Sequence, residues 1–140
     1  VRRALALAFP LLLVACGAPA GDTWQVVAVY TDPSLPGDLP PDAAGRAAVT
    51  VTGDAFEGFT GCALVSGSFS RGPEELSLID VSVSPAPDTC TPGARHVHDQ
   101  ITGLLSEGAV FNLRRLSEYE VLLTLRSDAF DPPSVRMMSL

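Results

Sequence analysis

From residue 23 onward the chain runs in short stretches where apolar and polar positions alternate, the period of a half-buried β-strand. Thr23 to Tyr30 is the first stretch. Trp24, Val26 and Ala28 alternate with Gln25, Val27 and Val29, and both sets are rich in apolar residues, so this strand is expected to be central. Ala47, Val49 and Val51 then alternate with Ala48, Thr50 and Thr52. Val65, Gly67 and Phe69 face one way and Ser66, Ser68 and Ser70 the other. Arg71-Gly72-Pro73 is a turn, and Leu76 to Val83 forms another strand, ended by Pro85 and Pro87.

The period then changes. Thr91 is placed to cap a helix and Pro92 suits its first position. Ala94, Val97, Ile101, Leu104 and Leu105 recur at helical spacing, and Gly108 is the expected stop. Val110 to Arg115 and Tyr119 to Arg126 read as a hairpin around Leu116-Ser117-Glu118, and Val135 to Leu140 as a last strand. Strands, one helix and more strands make an α+β plan with a largely antiparallel sheet. Thr31 to Gly45 carries Pro33, Pro36, Pro40 and Pro41 and cannot continue a sheet. It is expected to be an exposed, disordered loop.

Gly58-Phe59-Thr60-Gly61-Cys62 joins the end of one strand pattern to the start of another. Two glycines permit positive φ and close backbone approach, so the stretch reads as a tight crossing that fixes Cys62. A phosphate-binding loop would need a lysine at the right spacing and a helix to follow. The chain contains no lysine, and strand alternation follows.

The N-terminus has a different character. Arg2 and Arg3 precede an apolar run from Ala4 to Val14, too short to span a bilayer and suited to a signal peptide. Leu13-Val14-Ala15-Cys16 resembles a bacterial lipobox. The resemblance implies cleavage before Cys16 and acylation of its sulfur. Residues 1–15 are then a lipoprotein signal peptide, 16–22 a lipidated tether and 23–140 the folded domain, held outside the cytoplasm on the bacterial cell membrane. With Cys16 acylated, Cys62 and Cys90 remain as a pair in a compartment that permits a disulfide.

The length of 140 residues suits one domain, and a composition 46% hydrophobic supplies a core. The net charge of −7, without basic clusters, argues against nucleic acid and against electrostatic attraction to anionic lipid. Candidate chemistry is sparse. His96, His98, Cys90 and Asp99 suggest a metal site, but residues two apart on a helix do not share a face, and Cys90 has a partner in Cys62. A Cys-His nucleophile needs a free thiol. Glu74 and Glu75 point apart on a strand, Ser66, Ser68 and Ser70 lack a nucleophile elbow, and Met137 and Met138 read as strand residues. No catalytic residue, metal or cofactor is assigned.

Taken together, Trp24, Gly58 with Gly61-Cys62, Gly67 with Phe69, Cys90, the Ile101-Leu104-Leu105 helix and the strand from Tyr119 to Leu125 resemble the META/HslJ-like domain. Ala63 stands where that family has Asn, and the Met-Ala pair before the second cysteine is missing. The resemblance implies a small twisted or cracked β-barrel packed by a helix, with no agreed enzymatic activity and links to stress tolerance or secretion. The expectation is a monomeric, non-catalytic envelope lipoprotein that binds or stabilises another envelope component. The alternatives are a carrier of a small apolar ligand inside the barrel, for which an apolar-lined cavity would speak, and an enzyme with an unrecognised site.

Overall fold

The computed structural model describes residues 21–140; the expected signal segment and Cys16 lie outside the described residues. Eight strands and one helix follow in the order β1 (Asp22–Tyr30), β2 (Ala48–Thr52), β3 (Ala55–Phe59), β4 (Leu64–Arg71), β5 (Glu75–Val83), α1 (Pro92–Leu104), β6 (Val110–Arg115), β7 (Glu120–Leu125) and β8 (Ser134–Ser139). Each strand pairs antiparallel with the next, and β8 pairs back onto β1 through contacts such as Gln25↔Met138, so the sheet closes into a barrel. The seam between β5 and β6 is short, running from Glu75↔Asn112 to Ser77↔Val110.

The expected strand alternation sorts inside from outside. Val26, Val29, Phe69, Leu78, Phe111, Val121, Val135 and Met137 form the main core within the barrel. Ala28 does not join them. Val27 is an extra residue opposite β8, a bulge that turns Ala28 outward and sends Val29 inward instead. A second bulge leaves Ile79 without a partner on β4 and 54% exposed.

The sequence reading has no separate strand between Thr52 and the 58–62 crossing. β3 occupies that place, joined to β2 by a two-residue turn whose Gly53 takes φ of 61°. Its pattern is weak because one of its inward positions is Gly58. A Cβ there would strike the Ala48 carbonyl and lie 2.7 Å from Val49 Cα, so only glycine lets β2 approach. The crossing itself is as expected: Gly61 has φ of 103°, a left-handed conformation that glycine adopts freely.

Two expectations are corrected. Gly108 does not stop the helix, which ends at Leu104; Gly108 takes φ of 79° in the turn leading into β6. The Pro-rich segment after β1 is not a detached loop but a strap bound to the barrel. Val29 N–H donates to the Gly37 carbonyl at 2.9 Å, Asp38 bridges to Ala28, and Ala43 is only 1% exposed. The prolines prevent strand pairing, while Leu39 and Ala43 still bury apolar surface.

The strap also finishes the helix. Thr91 stands at the N-cap, yet its side chain makes no hydrogen bond to the helix. Asp42 of the strap accepts the Gly93 N–H at 2.9 Å instead. The Thr91 hydroxyl, and then the Gly93 and Ala94 amides, hold the Asp42 carboxyl below the usual carboxylate range.

Candidate ligand cavity

The alternation of strand directions gives the barrel two unlike ends. At one end β5 leaves and β6 returns, and the connection between them contains α1. Ile101 and Leu104 of the helix, with Leu105 just after it, pack against the main core and close that end. The other end carries the short β2–β3, β4–β5 and β6–β7 turns together with the start of β1. No helix covers it. Among the described residues no helix is long and apolar enough to cross a membrane.

Between the two ends lies a cavity of about 250 Å³. Its walls are almost wholly apolar, with Trp24, Val49, Phe56, Leu76, Leu113 and Leu123 among the side chains that face it. Two features leave this space unfilled. Gly58 and Gly67 fall at inward-facing register positions and contribute no side chain. The Phe56 ring lies against the Gly67 backbone, where a Cβ would come within 2.6 Å of it, and so cannot also fill the centre. The volume exceeds the roughly 150 Å³ cavity that accommodates benzene and falls just below the range of drug-sized pockets.

Charge enters only at the open end. Asp22, Arg71 and Arg115 line the cavity at the first or last residues of β1, β4 and β6. Each continues the inward face of its strand, Phe69 being followed by Arg71, and Phe111 and Leu113 by Arg115. The Arg71 guanidinium sits 5.4 Å from the centre of the Phe69 ring. Arg126 and Arg136, by contrast, are engaged on the barrel exterior with Glu75 at 2.7 Å and Glu120 at 3.2 Å. Glu120, and the Tyr30 hydroxyl after it, raise the pKa of Arg136 above its usual range.

The residues singled out from sequence are dispersed. Cys62 and Cys90 form a disulfide with Cα atoms 5.6 Å apart. It lies in a second small core, with Ala43, Ala94 and Val97, between α1, the strap and the β3–β4 crossing. His98 is buried beside it, its Nδ1 hydrogen-bonded with the Thr60 hydroxyl at 2.7 Å. The Thr60 oxygen also accepts the Ala63 N–H at 3.1 Å, so this polar group braces the turn after β3. His96, two residues from His98, is exposed on another face of the helix. Among the described residues no three His, Cys, Asp or Glu side chains gather as metal ligands would. Ser68 bonds to Asp80 at 3.0 Å on the exterior. Met137 faces the interior and lines the cavity, whereas Met138 is exposed.

No protein-family model and no curated protein matches the chain. The fold is similar to that of a solved protein described as the NMR structure of the protein from Burkholderia xenovorans, at 15% sequence identity and a TM-score of 0.63, over 86% of this chain and 83% of that one.

Proposed function

We propose that this protein is a non-catalytic envelope lipoprotein of the META/HslJ-like type whose barrel holds a small apolar ligand. The observation that carries the reading is the cavity of about 250 Å³, walled by apolar side chains and, among the described residues, left uncovered by any helix at the end opposite α1. The sequence alone favoured binding or stabilising an envelope component. The cavity moves the carrier ahead, because a partner-binding module has no need of a hollow barrel, and empty apolar space costs roughly 24 cal/mol per Å³.

The lipid anchor fits the same picture. Asp22 begins β1 at the open rim, only six residues beyond Cys16. At about 3.3 Å per residue the tether spans about 20 Å at full extension. Acylation at Cys16 would therefore keep the cavity mouth close to the membrane surface, where apolar ligands are concentrated. Cys16→Ser should release the protein from membranes into the soluble fraction. Unchanged membrane attachment of that variant would remove the anchor from the proposal.

Ligand uptake has a built-in reporter, since Trp24 is the chain's single tryptophan and lines the cavity. Titration with decan-1-ol should change its fluorescence saturably, with one ligand per chain. A linear, non-saturating response equal to that of free tryptophan would defeat the carrier reading.

A further inference from the structure

We infer that the ligand is an amphiphile with one medium-length apolar chain and one anionic headgroup, its chain inside the barrel and its head between Arg71 and Arg115. The inference rests on the carrier reading and specifies its ligand class. A cavity of about 250 Å³ has room for one such chain and not for a two-chain lipid. Helix α1 covers the opposite end, so a chain entering past the charged strand ends leaves its head at the rim.

The rim is where the charge is selected. The chain as a whole is acidic, at −7, yet two of the three charged residues lining the cavity are arginines. They end β4 and β6, the two strands that flank β5, so they lie on one arc of the mouth. Asp22 belongs to β1, on the far side of an eight-strand ring from β5. Among the described residues neither Arg71 nor Arg115 forms an ion pair, whereas Arg126 and Arg136 do. Arg71 is steadied by the Phe69 ring rather than by a carboxylate, which leaves its N–H donors free to turn to a ligand. A guanidinium fork matches the charge and paired oxygens of a carboxylate or phosphate head, whereas an alcohol offers it only one neutral acceptor. The shared chemistry is a single anionic head; free fatty acids and single-chain phosphates both have it.

The test compares three ten-carbon ligands on the intact folded domain by calorimetry: decanoate, decyl phosphate and decan-1-ol. Decanoate or decyl phosphate should bind about tenfold tighter than decan-1-ol, and the tighter of the two identifies the head. Arg71→Gln with Arg115→Gln should abolish that preference, with decan-1-ol affinity falling far less than that of the anions, and a thermal unfolding midpoint close to the natural protein's shows that the variant folds. Equal affinity of all three for the natural protein would overturn the anionic-head proposal while leaving the apolar carrier standing. A preference that survives the double substitution would overturn the placement of the head. Binding of none of them would remove the carrier reading itself.

Discussion

Breaking the Cys62–Cys90 disulfide is expected to cost about 3 kcal/mol of folding stability. The two cysteines are 28 residues apart, and loop-closure entropy for that separation gives about 3.6 kcal/mol. A domain of this size is stable by only about 5–15 kcal/mol, so the loss is a large share. The bridge adds a covalent tie to parts otherwise held by packing and by the Thr60–His98 hydrogen bond. It joins the β3–β4 crossing to the residue before the Thr91 N-cap of α1, within the small core that includes Ala43 of the strap. Cys62→Ala and Cys90→Ala should therefore lower the denaturation midpoint by similar amounts, and the double variant little further, because both remove one interaction. Urea titration of the three variants beside the natural protein measures this. Additive losses would mean that each cysteine stabilises through its own packing rather than through the bridge. Because α1 closes one end of the barrel, reduction should also loosen the cavity floor at Ile101 and Leu104 before the strands separate.

How far the sequence could be read depended on which physical signal each part carried. The strands with unbroken alternation, such as β4, and the helix with its apolar stripe were legible, because burial on one face leaves its period in the residues. Its pairing of the cysteines rested on compartment and count, and the structure has that bridge. β3 was hidden because one of its two inward residues is Gly58, where close backbone approach replaces a side chain. The strap was misread because four prolines report only that a segment cannot pair as a strand. They say nothing of Ala43, buried beneath the helix, or of Asp42, which serves a helix about fifty residues away. The cavity was invisible for a related reason: it is a deficit of side chains, set by how far apart a ring of eight strands holds its walls. The rim does leave a signal in the residues. Arg71 and Arg115 occupy the same alternation phase as Phe69 and Leu113, and a charge on an inward phase at a strand end marks a rim.

Val49→Phe is expected to abolish ligand uptake while preserving the fold. Val49 faces the cavity from β2 and is half-buried; its partners across the sheet are Trp24 and Gly58. Val49 stands in the cavity wall, so the four additional carbon atoms of the ring would project into the cavity. An aromatic ring also suits a strand. Filling unoccupied volume should raise stability by up to about 1 kcal/mol at the known dependence of stability on cavity volume. The ligand would then have to share the space, and forcing extra atoms into a filled interior costs about 1–3 kcal/mol, which at the upper end is a roughly hundredfold loss of affinity. A protein selected only for stability should gain from the substitution and lose nothing. A protein selected to hold a ligand keeps the void at the expense of stability. The measurement pairs thermal unfolding with the decan-1-ol titration followed through Trp24. A stable variant that still binds decan-1-ol with the natural affinity would place the ligand outside the barrel. A variant that unfolds at lower temperature would show that the interior is already full at Val49, and Val51→Phe, one step nearer the mouth on the same inward face, then repeats the test where the rim gives the ring more room.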